Sequence, residues 1–461
     1  MPHEAPPSSR VPPGASIRHE LVKLLTVAAP IAGGQLLTML MGVVDTRILG
    51  YAAKEGSADF GGASTGRAIG FTCMVFAMGI ASACDTLASQ AIGAGEDAEA
   101  WNALETTLRT ALLWTFPCAI VAMLATFILP YVGVEAEIAQ HAQRFTLGQL
   151  PSMFFIVGFC ATKGYLQARH RTSILIVSAL IANIVNVPVC MLLVRGDAAF
   201  TSVGMPLVGM PALGSFGAGL ALSVGSIVQF LIVYAYARSI APLDRKSQFD
   251  KAKVMRLGLP IGVHLVAEYG AFSLVTVLAA RCGRAEVGAH QVAIVLASFT
   301  YMGALGIGGA TSARVGRAIG AGVSPRMPGL LGIGLGVAFM GACAGVFALF
   351  PSTLVLMLTP DKTVLPIAVK LLYIAACFQL FDGVQVVTSS ALRGTGDTRV
   401  PLVANLIAYW AFAIPLGFTL GVAMKMGAIG LWLGLTLGLI IVALALFVRF
   451  WQRSGTLIAR V

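Results

Sequence analysis

Charged residues are scarce in this chain. They make up 11% of its 461 residues, whereas about 25% is usual for a soluble domain. Hydrophobic residues make up 57% of the chain, and the mean hydropathy is +0.86. Long apolar runs recur throughout, which excludes a soluble globular protein and predicts helices that cross a membrane. We therefore interpret the net charge of +11 as a signal of membrane topology and not of nucleic-acid binding.

Several chemical motifs are also lacking. None of the eight cysteines forms a C-x-x-C pair, and nearly all lie in apolar runs, so we interpret them as small hydrophobic side chains. The sequence has no aspartate-rich metal motif, as an intramembrane transferase would need, and no filter-like motif of an ion channel. "GTGDTR" at 394–399 lacks the Lys-Ser/Thr pair and the preceding strand of a phosphate loop. We expect neither enzyme activity nor a cofactor.

The apolar runs predict an all-α integral membrane protein with twelve transmembrane helices. Because twelve is even, both termini lie on one side of the membrane. The first twenty residues are rich in Pro and Ser and resemble a disordered tail, not a signal peptide. The predicted helices cover about 22–50, 65–92, 104–132, 143–165, 172–195, 214–238, 254–281, 288–316, 328–358, 364–392, 399–423 and 427–450.

The distribution of Lys and Arg places both termini in the cytoplasm, because the loops on that side then carry more of them. The longest polar interruption, 237–256, holds six basic residues and divides the chain nearly in half. We predict a multi-pass protein of the inner or plasma membrane that works as a monomer in the lipid bilayer. Its predicted parts are a cytoplasmic tail (1–20), a first six-helix bundle (21–238), a cytoplasmic linker (239–253) and a second six-helix bundle (254–461).

The two halves repeat each other. "SQAIGAG" at 89–95 corresponds to "GRAIGAG" at 316–322, and "LQARHRTSILIVSALIANIVNVP" from 166 corresponds to "LRGTGDTRVPLVANLIAYWAFAIP" from 392. Both pairs occur in the same order and at nearly the same offset. A six-plus-six repeat is typical of secondary transporters, whose substrate site lies between the halves.

Acidic residues are rare within the predicted spans. Glu268 lies twelve residues beyond Arg256, and Asp382 lies eleven residues before Arg393, which places them roughly 18 and 16 Å deep by helical rise. Two carboxylates at one depth would repel each other unless they hold a proton or a cation, as a site for a coupling ion requires. A structural hydrogen bond is the alternative. Asp45 and Asp85 also lie within predicted spans, and for Asp45, towards the outer end of the first helix, a surface cap is the alternative.

Weaker candidates for a cavity that binds substrate or ion are polar or aromatic residues within the spans. His264 lies one turn from Glu268 and could pair with it. Phe378 and Phe381, near Asp382, could line an apolar cavity for planar cations. Interhelical hydrogen bonds and ordinary helix packing are the alternatives for all of them. The other candidates are Gln35, Asn183, Asn186, Tyr269 and Gln379.

The chain resembles the multidrug and toxic compound extrusion (MATE) family, in particular its NorM-like branch. "LRGTGDTRVPLVANLIAYWAFAIPLGF" is similar to that family's junction of helices ten and eleven. "ASACDTLASQAIGAG" and "ATSARVGRAIGAG" resemble its ends of helices two and eight, and "AAPIAGGQLLTMLMGVVDTRILG", which includes Asp45, resembles its first helix. The resemblance covers essentially the whole chain after the tail.

This resemblance implies two six-helix bundles arranged as a V around a central cavity. It implies antiport in which organic cations, drugs and other amphipathic compounds leave the cell while Na⁺ or H⁺ enters. It also places Glu268 and Asp382 where the NorM-like branch carries acidic residues, so that Na⁺ could bind there. A lipid-linked saccharide flippase of the same superfamily is the alternative. It would need a cationic cavity for a diphosphate, and we see no Arg or Lys deep in the predicted spans.

Overall fold

Helices make up nearly the whole chain in the computed structural model, which describes residues 17–53, 58–197, 209, 211–243 and 250–461. Twelve helices of the described residues are long and apolar enough to cross a membrane. They are α1 (Ile17–Gly50), α2 (Ala58–Gly93), α3 (Asp97–Val132), α4 (Ala136–Ala168), α5 (Ser173–Arg195), α6 (Gly214–Ser239), α7 (Lys251–Cys282), α8 (Arg284–Gly320), α9 (Arg326–Leu349), α10 (Leu365–Gly394), α11 (Arg399–Ala423) and α12 (Ala428–Arg453).

The predicted helix over 328–358 is wrong in one respect, because it is two helices. α9 ends at Leu349, and a separate short helix, Pro351–Leu358, follows it. Proline has no amide hydrogen to continue the ladder, and it restricts the residue before it. Phe350 accordingly leaves the helical region, with φ −126° and ψ 40°.

Other boundaries differ by less. α1 begins at Ile17, earlier than predicted, so the last residues of the predicted tail are helical. α2 consists of two helical segments, Ala58–Ala81 and Ala83–Gly93. The predicted tail over 1–16 and the central part of the predicted linker, 244–249, lie outside the described residues.

Helix pairing within each half follows one pattern. In the first half α4 packs against α2 and α6, and α5 packs against α6. In the second half α10 packs against α8 and α12, and α11 packs against α12. Each pair of the first half therefore recurs six helices later, and the two halves form pseudo-symmetric six-helix bundles.

The two bundles meet through α1 with α8 and through α2 with α7 and α8. These contacts lie towards the face of the molecule on which α1 begins and α12 ends, here called the termini face. At the crossing of α2 and α7 the two backbones touch, because a Cβ added to Gly79 would lie 2.3 Å from Cα of Gly262. Only glycine permits helices to approach so closely. The V is thus closed at the termini face.

Polar contacts reinforce this closure between the bundles. Thr86 Oγ1 donates a hydrogen bond to the carbonyl of Arg393 at 2.7 Å, and Gln90 Nε2 donates one to the carbonyl of Gly394 at 3.1 Å. Arg314 Nη2 lies 2.5 Å from Oε2 of Glu20. Further along the chain, Arg460 pairs with Glu96 at 2.6 Å and also contacts Glu99.

Candidate functional site

A cavity of about 280 Å³ lies inside the second bundle, enclosed by α7, α8, α10 and α12. Glu268 of α7 and Asp382 of α10 both line it. Only 9% of Glu268 and 7% of Asp382 is exposed, so both carboxylates are largely shielded from solvent. The remaining wall is mainly apolar and includes five aromatic side chains: Tyr269, Phe272, Tyr301, Phe378 and Trp432.

Helical spacing explains which side chains reach this cavity. Glu268, Phe272 and Thr276 follow each other at intervals of four residues, so they share one face of α7. Phe378 and Asp382 share a face of α10 in the same way. The prediction that Phe381 lines the cavity is wrong. One residue from Asp382 is a rotation of roughly 100° about the helix, and Phe381 packs against the hydrophobic core instead.

His264 and Asn405 form the immediate surroundings of Glu268. Nε2 of His264 lies 3.4 Å from Oε2 of Glu268, one turn along α7. The side-chain amide nitrogen of Asn405, from α11, contacts the same Nε2. Both residues are buried, with 6% of His264 and 1% of Asn405 exposed. This group lies beside the cavity and can share a proton between an imidazole and a carboxylate.

His290 is a buried residue that the sequence did not indicate, because it lies only two residues inside the predicted span over 288–316. Nε1 of Trp432 donates a hydrogen bond to its Nδ1 at 3.1 Å, and its Nε2 lies 2.9 Å from Oγ1 of Thr276. An Nδ1 that accepts a hydrogen bond carries no proton, so the imidazole is neutral. His290 thereby fixes two side chains of the cavity wall.

The other candidates of the second bundle divide between the wall and the packed interior. Tyr269 lines the cavity and also meets Phe71 of α2 edge to face, with ring centroids 5.3 Å apart, so it touches the first bundle. Gln379 is fully buried outside the cavity wall. Neither of its amide atoms has a hydrogen-bond partner among the described residues.

Asp45 of α1 is completely buried in the first bundle, which excludes the surface cap considered from the sequence. Its Oδ2 lies 3.8 Å from Nη2 of Arg67 on α2. The expectation that no Arg or Lys lies deep in the spans is therefore wrong. Arg67 lies only two residues inside the predicted span over 65–92, so the sequence placed it at the edge of the membrane. It lies deeper because α2 begins earlier, at Ala58. Asp85, in contrast, packs against Gly164 of α4 and takes no part in either group.

The two candidate asparagines of α5 donate hydrogen bonds to backbone carbonyls. Asn183 Nδ2 donates hydrogen bonds to the carbonyls of Leu37 at 3.0 Å and Ala179 at 2.8 Å. Asn186 Nδ2 donates to the carbonyl of Ala221 at 3.0 Å. The two amides tie α5 to α1 and to α6, as the structural alternative describes. Gln35 lies half-buried on α1.

Within the described residues, no group of three or more His, Cys, Asp or Glu side chains is arranged to hold a metal ion. The geometry offers pairs instead: Glu268 with Asp382 on one cavity wall, and Asp45 with Arg67 in the first bundle. Two shielded carboxylates on one cavity wall favour the uptake of a proton or a cation, because both are costly to keep charged and uncompensated.

Known proteins resemble this chain along its whole length. Its residues 30–192 and 260–419 match the family MatE. The probable multidrug resistance protein NorM of Deinococcus radiodurans is 32% identical over 456 residues, which cover 96% of this chain and 97% of that protein. The multidrug resistance protein PmpM of Pseudomonas aeruginosa is 31% identical over 458 residues, which cover 95% of this chain and 92% of that protein.

Solved structures confirm the predicted fold. The eukaryotic MATE transporter AtDTX14 superposes with a TM-score of 0.82 at 21% identity, covering 95% of this chain and 98% of that one. The Vibrio cholerae MATE transporter VcmN in its bent form gives 0.81 at 19% identity, covering 96% and 98%. With the family match in both halves and relatives above 30% identity along nearly the whole chain, this protein belongs to the MATE family of membrane transporters and is not an enzyme.

Proposed function

We propose that this protein is an antiporter that exports organic cations, drugs and other amphipathic compounds in exchange for Na⁺ or H⁺. The observation that carries the proposal is the cavity of the second bundle, where Glu268 and Asp382 share a wall that is otherwise mainly apolar and aromatic. Relatives named multidrug resistance proteins support the substrate class.

The cavity can bind both partners of such an exchange, the organic cation and the coupling ion. Phe378 and Trp432, whose ring centroids lie 5.7 Å apart, offer faces on which a planar cation can rest. Two shielded carboxylates are costly when both are charged and uncompensated. They therefore bind either a coupling ion or the positive group of a substrate, and each occupant weakens the binding of the other.

A proton has a place at this site as well. His264, 3.4 Å from Glu268, is an imidazole that can exchange a proton with that carboxylate. Asp45 serves as a third ion-coupling residue, located in the first bundle. Transport then follows from alternating access, in which the bundles rock against each other around the cavity.

For the orientation, we propose that both termini are cytoplasmic and that the monomer spans the inner or plasma membrane. The support is the excess of Lys and Arg in the loops of the termini face. The closed face of the V is then the cytoplasmic one, and the cleft between the bundles opens to the outside.

Arg67 gives some support to the alternative, a flippase for lipid-linked saccharides, because a diphosphate needs cationic partners. It supplies one guanidinium, which already faces the carboxylate of Asp45. The cavity itself is lined by two acids and would repel a diphosphate. The antiporter is therefore the function that the site supports best.

The test is accumulation of a cationic dye such as ethidium in cells that lack other efflux pumps. Expression of this protein should lower dye accumulation relative to an empty vector, and collapse of the Na⁺ and H⁺ gradients should remove the difference. Proteoliposomes with one gradient at a time then identify the coupling ion. Unchanged accumulation for a broad panel of dyes and drugs would overturn the multidrug proposal.

A further inference from the structure

Arg67 is an arginine within the membrane-spanning part of the first bundle. It is the tenth residue of α2, counted from Ala58, or roughly 14 Å along the helix by its rise. Phe71, one turn further on the same face of α2, contacts Tyr269 of the second bundle. Arg67 therefore lies on the side of α2 that faces the space between the bundles.

Two helices, α1 and α4, hold the guanidinium of Arg67 in place. Its Nη1 donates a hydrogen bond to the carbonyl of Gly42 on α1 at 2.9 Å, and its Nη2 lies 3.8 Å from Asp45. The central carbon of the guanidinium, Cζ, lies 5.4 Å from the ring centre of Phe145 on α4. A side chain at position 42 would press on the guanidinium, because a Cβ there would lie 3.1 Å from Nη1. Glycine thus lets the arginine lie against the backbone of α1.

Arg67 compensates the charge of Asp45 more than any other side chain, and Cys190 and Asn186 of α5 also lie beside the carboxylate. Neither oxygen of Asp45 has a hydrogen bond of normal geometry among the described residues. Asn186 donates one of its two amide hydrogens to the carbonyl of Ala221. Of the ion pair, Asp45 is the inaccessible member, since 0% of its side chain is exposed against 26% for Arg67. A cation that approaches Asp45 therefore meets Arg67 first.

We propose that Arg67 is a tethered counter-cation of Asp45, which occupies the carboxylate in place of a proton or a free monovalent cation. A guanidinium stays charged at all physiological pH values, so it leaves Asp45 only by moving and not by losing a proton. The first bundle accepts a coupling cation only when Arg67 swings away. In this structure the second bundle is consequently the part that is free to take one.

The pairing of Arg67 with Asp45 stands independently of transport. Only the statement that the cation displaced by Arg67 is a coupling ion rests on the proposed function. The test of the pairing therefore needs no transport. A hydrophobic carbodiimide modifies protonated carboxyl groups in apolar surroundings, and mass spectrometry of the purified full-length protein gives the extent of modification at each acid. An Asp45 paired with Arg67 stays ionised and should react slowly.

Substitution of Arg67 should show that the arginine keeps Asp45 ionised. A buried carboxylate that loses its partner takes up a proton instead of remaining charged. Arg67→Gln should therefore raise modification of Asp45 at neutral pH about tenfold or more, whereas Arg67→Lys, which keeps a cation, should stay near wild type. Arg109→Gln is the matched control, since it removes an exposed arginine paired with Glu105 at 3.6 Å on α3. It should leave Asp45 unchanged.

A second measurement uses the wild-type protein alone and so does not depend on whether a variant folds. Across neutral pH, Asp45 should be modified at least about tenfold more slowly than Asp382, which has no arginine partner among the described residues. Equal rates at Asp45 and Asp382 in the wild type would overturn the proposal. So would an Arg67→Gln protein, folded by its thermal transition, that labels no faster than wild type. Neither result would touch the transport role of Glu268 and Asp382.

Discussion

At the scale of single residues, the proposed transport depends on the carboxyl pair of the second bundle. Glu268 and Asp382 come from different helices and line one small cavity. Their common environment makes them one binding unit, because whatever neutralises one carboxylate changes the electrostatic potential at the other. The effects of substituting them should therefore not add.

Glu268→Gln and Asp382→Asn should each abolish gradient-driven efflux while the protein stays folded. Removing one charge eases the burial of the other, so the double variant should transport no worse than either single variant. Efflux in cells and ion-dependent substrate release in proteoliposomes measure this. Glu137→Gln, at an exposed acid of α4, is the control and should transport normally. If both single variants keep full ion-coupled efflux, Glu268 is structural and coupling has to be sought at Asp45.

The sequence predicted this pair and the contact of His264 with Glu268, but it did not predict contacts that depend on how separate helices pack. Helical rise and two basic border residues are enough to place Glu268 and Asp382 at one depth. The pairing of Arg67 with Asp45, or of His290 with Trp432, depends on how far apart separate helices pack. Of the two phenylalanines predicted near Asp382, Phe378 lines the cavity and Phe381 does not, and intervals of four residues along a helix face distinguish them.

At the scale of elements, glycine contacts set how closely α2 and α7 cross. Gly79 and Gly262 bring the two backbones together between the bundles, and a Cβ on either would meet the other helix at less than 3 Å. Nothing flexible can move aside there, because the closest atoms belong to the backbone of the other helix. The crossing therefore holds only while the bundles are closed at the termini face.

Gly79→Ala should favour separation of the bundles at that face. Overpacking of this kind costs roughly 1–3 kcal/mol, which would lower the ratio of closed to open molecules by about 5-fold to 150-fold. A cysteine in place of Thr86, a buried residue at this interface, reports opening by faster maleimide labelling, in a protein whose exposed Cys377 is replaced by Ser. Gly334→Ala on α9 is the control, since a Cβ there meets nothing within 4 Å. Equal labelling in both proteins would contradict the role of the crossing.

The helix boundaries show which structural features hydropathy can predict and which it cannot. Apolar length alone located all twelve spans, because a bilayer demands about 20 apolar residues from each. It did not separate α9 from the helix at Pro351, since both are apolar and only the proline marks the break. Hydropathy also missed the first residues of α2, where Asp59 and Arg67 lower the apolar signal.

At the scale of the whole molecule, closure of the termini face involves residues far apart in the chain. Arg460 reaches back to Glu96 and Glu99 beside the end of α2. Its hydrogen bond holds the pKa of Glu96 well below the usual range of a glutamate. Because that pKa is lowered, the contact is fully present at neutral pH and is lost only as the pH falls through the lowered value.

The distribution of basic residues predicts how the whole molecule is oriented in the membrane. A cysteine in place of Ser247, a position outside the described residues, should resist an impermeant maleimide added to intact cells, because the proposed orientation places the 237–256 segment and its six basic residues on the cytoplasmic side. A cysteine in place of Glu135, exposed in the loop between α3 and α4, is the control and should react. The reverse pattern of labelling means that the orientation is inverted.

Tyr269 connects the cavity to the interface between the bundles. Its side chain lines the cavity of about 280 Å³, and its ring packs edge to face against Phe71 of the first bundle. A ligand that moves Tyr269 therefore also alters the packing between the two bundles, which links occupancy of the cavity mechanically to their relative position.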